Sequence, residues 1–219
     1  MALKLYGHPF SSYTQKALIA LYENGIAFEY LMLAPEAPEV GAEFAALWPI
    51  GKFPVLVDDG QLVFEATIII EHLALHHPGP VTLVPADPAA ALPVRMLDRF
   101  FDNYVMRPMQ KIVTDALRPE AERDAKGVAD ARVLLDTAYG WLEKHLEGRT
   151  WASDGGFSLA DCAAAPSLFY ADWAHPIPET HRNLRAYRLR LLERPSFARA
   201  VDEARPYRPF FPLGAPDRD

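Results

Sequence analysis

Cysteine is almost absent from this chain of 219 residues, which contains only one, Cys162. A single cysteine cannot form a disulfide within the chain, and its scarcity fits a reducing compartment. The sequence also has no Cys-x-x-Cys pair. It therefore argues against dithiol redox chemistry carried out by the protein's own thiols.

Long apolar runs and an excess of basic residues are also missing. No apolar run reaches the roughly 20 residues that span a bilayer, and no basic segment followed by an apolar run marks a signal peptide. We therefore expect a cytoplasmic protein without a membrane partner. The formal net charge of −7 argues against broad nucleic-acid binding, which needs clustered Lys and Arg.

The basic residues that do cluster are explained by helical periodicity. They alternate with leucines at the spacing of a helix, which predicts a solvated helix face rather than a functional patch. The residues concerned are Arg182, Arg185, Arg188 and Arg190.

Length and proline distribution favour two domains. Half of the residues are hydrophobic and 23% are charged, as in a folded globular protein. Prolines cluster between Pro78 and Pro93. We therefore predict a first domain over residues 1–78, a linker over 79–88 and a second domain over 89–219.

The first domain is predicted to be α/β. Leu3 to Tyr6 and Ala27 to Leu33 have strand patterns, and the helix pattern from Ser11 to Glu23 between them makes a right-handed βαβ unit. A short helix over residues 39–47, a hairpin, and a helix from Ala66 to His76 follow. This order of elements resembles the thioredoxin fold.

The hairpin is the most informative segment of the chain. Two apolar runs flank Asp58-Asp59-Gly60, a turn sequence whose glycine accepts a positive φ. Pro54 stands where the first strand begins, so the backbone of Phe53 is left free to bind something other than a neighbouring strand. Glu65 follows the second strand. The alternative is an ordinary surface hairpin with a solvated glutamate.

The second domain is predicted to be all helical. A long helix over residues 89–117 contains Pro108, which should kink it near Tyr104. Further helices are expected over residues 120–145, 159–170, 183–193 and 196–204. Ser158 and Asp161 form a capping box, so Asp161 is expected to start a helix rather than to act in catalysis. Its replacement by Ala should cost about 0.5–2 kcal/mol.

Three segments of the first half resemble the glutathione-binding half of cytosolic glutathione transferases, and two later ones resemble the family's linker and a core helix of its helical half. They are Tyr6 to Lys16, Pro49 to Leu56, Glu65 to Ile68, Leu83 to Pro88 and Phe157 to Asp161. The resemblance implies a thioredoxin-like domain followed by an all-helical domain, in a bacterial-type member with serine at the catalytic position.

By this resemblance Ser11 is the catalytic residue. It precedes the first helix, where unpaired N–H groups favour an anion such as a thiolate. A free thiol with a pKa near 8.5 is mostly protonated at neutral pH, so a donor to the sulfur would help to ionise it. Ser12 is an open alternative and Tyr13 a weaker one, and serine here is also a common N-cap.

The resemblance assigns the other glutathione contacts residue by residue. Phe53 would offer backbone groups to the cysteinyl part, beside a cis Pro54, while Lys52 would meet the glycyl carboxylate and Glu65 the γ-glutamyl ammonium. The family usually has a hydroxyl residue after this glutamate, but Ala66 stands there and Thr67 comes one later. The lost hydrogen bond would weaken glutathione binding by roughly 1 kcal/mol, and the Ala66 N–H remains available.

Two sets of residues each allow a functional and a structural interpretation. A cleft for the second substrate is predicted from Phe10, Tyr104, Arg107, Lys111 and Trp173, although such residues equally often serve packing. His72, His76 and His77 have a spacing that could bind metal, but no acidic ligand lies near them in sequence. The expectation is no metal, with the histidines acting on a helix dipole.

The predicted function is glutathione transfer to an electrophilic, mainly apolar small molecule, by a homodimer that pairs near Phe64 and the helix from Ala89. The alternatives are another glutathione-dependent reaction, such as isomerisation, dehalogenation or peroxide reduction, and a non-catalytic binding or interaction member of the family.

Overall fold

A computed structural model describes residues 3–219 of the chain. In its first half, strands and helices alternate as β1 (Leu3–Gly7), α1 (Ser12–Glu23), β2 (Phe28–Met32), α2 (Pro38–Leu47), β3 (Val55–Asp58), β4 (Gln61–Phe64) and α3 (Ala66–His76). The second half contains α4 (Pro88–Phe100), a π-helical segment (Phe101–Met106), α5 (Arg107–Ala116), α6 (Ala125–His145), α7 (Leu159–Ala174), α8 (Arg182–Leu192) and α9 (Pro195–Ala204), with 3₁₀ turns at Glu120–Glu122 and Arg205–Phe210. Within residues 3–219, no helix is both long enough and apolar enough to span a membrane.

The first half forms one four-stranded sheet in the order β2-β1-β3-β4. β1 pairs with β2 in parallel and with β3 antiparallel, and β3 and β4 form the predicted hairpin. Positive φ angles at Asp59 and Gly60 make its two-residue turn, as type I′ geometry requires. The thioredoxin-like arrangement followed by helices is thereby confirmed.

α1 is buried along most of its length. Its residues from Thr14 to Leu21 are all buried, because α3, α7 and α9 all pack against it. Two polar residues of α1 find partners across the junction: the Gln15 side-chain amide donates to the Tyr170 hydroxyl at 3.0 Å, and Glu23 pairs with Arg194 at 2.6 Å. The two halves thus share one packed core.

Lys16 is the most unusual residue of this junction, since its charged side chain is 0% exposed. Its Nζ lies 2.6 Å from Asp98 and 2.8 Å from Asp102, and it donates to the Thr67 hydroxyl at 2.9 Å. Burial raises the pKa of Asp102, and Lys16 opposes that rise. Arg99, which is half exposed, pairs with both Asp98 and Asp102 on the solvent side of the network.

The long helix predicted over residues 89–117 is helical almost throughout, but its hydrogen-bond pattern changes in the middle. α4 gives way to the π-helical turns of residues 101–106, and α5 restarts with Pro108 in its first turn. Proline cannot donate to a carbonyl one turn back, so the ladder is rearranged just before it. The predicted kink near Tyr104 corresponds to this segment. The predicted helix start at residue 120 is wrong, because only a 3₁₀ turn forms there before Asp124 caps α6.

Asp161 is a buried hydrogen-bond centre as well as a cap. Its carboxylate accepts from the Ser158 backbone at 2.9 Å, the Ala152 backbone at 2.8 Å and the Tyr187 hydroxyl at 2.6 Å. α7, which it starts, is buried along its whole length. The capping box predicted from the sequence is present, in a role larger than that of a surface cap.

The interpretation of the basic residues of α8 as a solvated face is wrong for one member. Arg188 is buried, with its guanidinium 3.3 Å from Asp172 on α7. Burial lowers the pKa of Arg188, and Asp172 counteracts this. The sequence period could not reveal a buried partner on another helix.

Removal of the Lys16 charge should strongly destabilise the fold. Lys16→Ala and Lys16→Met leave two carboxylates without their buried cation, and we expect a loss of about 3–5 kcal/mol in the free energy of unfolding. Lys4→Ala, at a half-exposed pair with Glu29, should cost less than about 1 kcal/mol. Urea unfolding at pH 7 measures all three. Losses of equal size for Lys16→Met and Lys4→Ala would contradict the ionic role.

Replacement of Asp161 should cost more than an ordinary cap. Asp161→Ala leaves buried N–H and O–H donors without an acceptor, and each costs about 1–3 kcal/mol; we expect a total loss above about 2 kcal/mol. The control is Asp87→Ala, which removes the exposed cap of α4 and should cost about 0.5–2 kcal/mol. Thermal and urea unfolding compare the two, and an Asp161→Ala loss no greater than that of Asp87→Ala would argue against the network.

Candidate functional site

A pocket of about 410 Å³ lies where the sheet half meets α5. Its walls come from the start of α1, the segment before β3, the junction of β4 with α3, and one residue of α5. The lining residues are Ser11, Tyr13, Trp48, Gly51, Lys52, Phe53, Pro54, Glu65, Ala66 and Gln110. All six residues predicted to catalyse the reaction or hold glutathione are among them.

Ser11 stands at the entrance of α1 as its N-cap. Its Oγ accepts a hydrogen bond from the Thr14 backbone at 3.3 Å, and its own backbone is extended, with φ −82° and ψ 124°. A serine hydroxyl that accepts one bond can still donate its proton. The cap and the donor are thus compatible roles of one side chain. Ser12 is buried and does not line the pocket.

Tyr13 lines the same pocket from the first turn of α1. Burial, followed by the nearby charge of Asp102, raises the pKa of Tyr13 to about 12, and Arg99 partly offsets the rise. The phenol is therefore protonated at neutral pH and can donate a hydrogen bond, but it cannot serve as a base. From the sequence Tyr13 was only a weaker alternative to Ser11 as a donor, but in the structure it lines the pocket directly.

The segment before β3 presents backbone as well as side chains. The ladder between β1 and β3 ends at Val55, so the backbone of Phe53 lies beyond it. The peptide bond between Phe53 and Pro54 is cis, as the resemblance implied. The Phe53 ring packs against Phe44 at 6.4 Å, which holds this backbone in place beside the exposed Lys52.

The junction of β4 and α3 supplies the opposite wall. Glu65 occupies the N-cap position of α3 with a φ of 67°, in the left-handed region that few residues other than glycine adopt. Its carboxylate is exposed, and the unpaired N–H groups of the first turn of α3 begin at Ala66. The pocket therefore combines a cation at Lys52, an anion at Glu65, and two helix N-termini that favour negative groups.

Thr67 does not replace the hydroxyl missing at Ala66. Its Oγ1 accepts from Lys16 at 2.9 Å and donates to Asp98 at 2.9 Å. One residue of helix turns a side chain by about 100°, so Thr67 faces α4 and is used by the buried ionic network.

The residues predicted for a second substrate are dispersed. Phe10 packs edge-on against Tyr170 at 5.5 Å, Trp173 is buried, and Lys111 is engaged by Asp124 at 2.6 Å. Tyr104 and Arg107 are exposed on the surface near the pocket's helical wall. None of these five lines the pocket, and their roles in substrate binding stay predictions.

Three further residues that line the pocket were not predicted from the sequence. Trp48 stacks on Phe64 at 3.8 Å, Gly51 has a positive φ of 71°, and Gln110 reaches in from α5. Gln110 is one helical turn from Arg107, so it lies next to the helix face that was predicted to line the cleft for the second substrate. Trp48 and Gly51 stand within four residues of Lys52, and that proximity was the available signal.

Comparisons with known families match both halves of the chain. The family model "Glutathione S-transferase, N-terminal domain" matches residues 1–75, and "Glutathione S-transferase, C-terminal domain" matches residues 120–190. The GST-like protein YibF of Escherichia coli (strain K12) is 31% identical over 177 residues, which are 80% of this chain and 85% of that protein.

Solved structures of glutathione S-transferases are also similar to this chain. A glutathione S-transferase from Methylobacillus flagellatus KT with glutathione bound has a TM-score of 0.81 and 26% identity, and the match covers 91% of this chain and 98% of that one. A glutathione S-transferase from Methylobacterium radiotolerans in complex with glutathione sulfonate has a TM-score of 0.76 and 30% identity, and the match covers 92% and 95%.

Proposed function

The chain belongs to the glutathione S-transferase family, and from this premise we propose that it is a glutathione transferase. It would activate the thiol of glutathione for attack on an electrophilic, mainly apolar small molecule. Residues 1–78 would bind glutathione, residues 79–88 would link the halves, and residues 89–219 would contribute to the electrophile site. The proposed compartment is the cytoplasm, where thiols are kept reduced.

The pocket of Ser11, Lys52 and Glu65 is the observation that carries this proposal. Glutathione has a thiol at its centre, a carboxylate at its glycyl end, and both an ammonium and a carboxylate at its γ-glutamyl end. A donor hydroxyl, a cation, an anion and a helix N-terminus on the walls of one pocket complement these groups. This match in both charge and number supports the tripeptide over a simple anion.

Each group of the ligand receives a proposed partner. The sulfur would lie at the Ser11 hydroxyl, and the Phe53 backbone N–H and C=O would hold the cysteinyl part. Lys52 would bind the glycyl carboxylate and Glu65 the ammonium. The γ-glutamyl carboxylate would take the N–H groups at the start of α3, beginning with Ala66, since no hydroxyl of this helix turn is free for it.

The proposed chemistry is thiolate attack. The thiol loses its proton to solvent, and the Ser11 O–H donates to the sulfur anion at the N-terminus of α1. The sulfur lone pair then forms a bond to the electrophilic carbon, while the electron pair of the breaking bond moves to the leaving group or to an activated carbonyl. Tyr13, protonated with a pKa of about 12, would donate to the same anion or to the developing charge of the electrophile.

Two alternatives would use the same pocket. Another glutathione-dependent reaction, such as isomerisation, dehalogenation or peroxide reduction, needs the same activated thiol. A non-catalytic member would bind glutathione without turnover. Assay of the purified protein against a panel of electrophiles, haloacids and peroxides, together with retention on immobilised glutathione, separates these. Retention without any turnover would favour the binding member.

Ser11→Ala should slow catalysis more than it weakens binding. Lys52, Glu65 and the Phe53 backbone still hold the tripeptide, so the Kd for glutathione should change only a few-fold. Loss of one positioned donor to an anion should lower kcat by about 10²-fold, and the pKa of the bound thiol should rise. Turnover with an electrophile as a function of pH, together with calorimetric titration of glutathione, measures both effects.

Matched variants assign the donor. Ser12→Ala changes a residue outside the pocket and should leave kcat within a few-fold of wild type. Tyr13→Phe removes the second hydroxyl that lines the pocket. A large loss in Tyr13→Phe with a small one in Ser11→Ala would make Tyr13 the thiolate donor, and small effects in both would make the helix N-terminus the main activator.

The proposed assembly is a homodimer. Large apolar side chains are exposed on α3 and α4, at Ile68, Leu75, Leu92 and Met96. The two helices are tied together by the ion pair of Arg95 and Glu71 at 2.8 Å, so these side chains belong to one surface. Phe64, stacked on Trp48, lies next to it. A surface of this kind is suited to a second copy of the chain.

Charge placed on this surface should separate the subunits. Ile68→Glu combined with Met96→Glu would bury carboxylates without partners in a dimer, and we expect a monomer in sedimentation velocity at about 10 μM. The control is Leu189→Glu, an equally exposed leucine on α8, which should stay dimeric. A wild-type monomer at this concentration would end the proposal.

A further inference from the structure

Asp58, His72 and His77 form a compact group at the far end of the hairpin, which we name the His/Asp cluster. His72 Nε2 lies 2.8 Å and His77 Nε2 2.7 Å from the same oxygen, Oδ2 of Asp58. The donor atoms of the three side chains all lie within 4.8 Å of one another. The sequence shows no acidic ligand near these histidines, because Asp58 is 14 residues from His72 along the chain.

The fold brings the three residues together through the hairpin. Asp58 ends β3 at the turn formed by Asp59 and Gly60. β4 leads away from this turn, and α3 runs back beside it, so the carboxyl end of α3 returns to the turn. His72 and His77 are five residues apart and meet Asp58 there, one from the second half of α3 and the other from the residue that caps its carboxyl end.

We infer that the His/Asp cluster is a binding site for a first-row divalent cation of the Zn²⁺ type. Two imidazole nitrogens and a carboxylate are ligands that Zn²⁺ accepts, with bonds of about 2.0–2.2 Å. Ligand atoms around a tetrahedral Zn²⁺ lie about 3.4 Å apart, as follows from those bond lengths. The two Nε2–Oδ2 distances of 2.7 and 2.8 Å therefore need to lengthen by less than about 1 Å to admit the ion, and the two nitrogens already lie within 4.8 Å of each other.

The donor set also selects among cations. Mg²⁺ and Ca²⁺ take oxygen ligands and would gain little from two imidazoles. The cluster has no Cys, so a soft ion that needs thiolates is not favoured either. Zn²⁺, Co²⁺ and Ni²⁺ match it.

Burial favours the site as well. The side chain of His72 is 8% exposed and that of Asp58 17%, while His77, at 32%, leaves an opening to solvent. The ring of His76 lies 4.4 Å from that of His72 by centroid, outside the three-donor group. Water would complete the coordination.

Bound metal would join the hairpin turn to the carboxyl end of α3. The proposed glutathione residues lie at the other ends of the same elements, with Pro54 before β3 and Glu65 before α3. The His/Asp cluster should therefore stabilise this domain without touching the reacting groups. The inference does not depend on the proposed function, and its test needs no substrate.

The experiment uses the full-length chain without a histidine tag, stripped of metal by a chelator. We expect Zn²⁺ to bind at one ion per chain with a Kd below about 10 μM in calorimetric titration at pH 7.5, and to raise the melting temperature. Such a shift is what a ligand of the folded state produces. Mg²⁺ at the same concentration should do neither. Co²⁺ should give visible d–d absorption that Zn²⁺ removes.

Three variants locate the ion. His77→Gln, at the most exposed ligand, and Asp58→Asn, which keeps the side-chain shape, should each weaken Zn²⁺ binding by at least tenfold. His76→Gln, next to the cluster on the exposed surface, should stay within threefold of wild type. Circular dichroism confirms that each variant is folded. Wild-type binding weaker than about 100 μM, or unchanged affinity in both His77→Gln and Asp58→Asn, would overturn the site and leave a hydrogen-bonded cluster only.

Discussion

Buried ion pairs of Lys16 with Asp98 and Asp102 fix how the two halves of the chain meet. Charges taken out of water need close partners, and these partners belong to the other half of the chain. Lys16 therefore ties α1 to α4 and to the π-helical turns that follow α4. Since Ser11 and Tyr13 precede Lys16 by less than two turns, the same pairing sets where the N-terminus of α1 points.

The pocket follows from this placement. A helix end can favour an anion only if its free N–H groups face the ligand and are held there. α1 is held by the ionic network and by packing against α3, α7 and α9, and α3 is held through Thr67, which shares that network. Two helix N-termini are thus fixed against one pocket by contacts that lie beneath it. The proposed activation of a thiol would therefore use a backbone at Ser11 that buried contacts already hold.

Features set by neighbours in sequence were predictable. The hairpin turn at Asp59 and Gly60, the irregular helix geometry before Pro108 and the capping box of Asp161 each follow from local chemistry, and the residues proposed to hold glutathione line one pocket. Features set by distant partners were not. Lys16 meets Asp102 across 86 positions, and Arg188 meets Asp172 from another helix. A periodic pattern predicts which face of a helix a residue occupies, but it does not identify the charged residue on another element that lies opposite.

The hydroxyl residue that the family usually has directly after the glutamate comes one position later in this chain, at Thr67 instead of Ala66. This shift of one residue alters the pocket. A hydroxyl at position 66 would face the pocket, whereas one at 67 faces α4, because adjacent helical side chains differ by about 100°. The chain thus lacks one neutral hydrogen bond to its proposed ligand, worth roughly 1 kcal/mol. In return Thr67 satisfies Lys16 and Asp98 in a place where an unmet polar group costs about 1–3 kcal/mol. By these magnitudes the exchange favours the fold over the ligand, and the proposed glutathione affinity would rest on Lys52, Glu65 and the backbone.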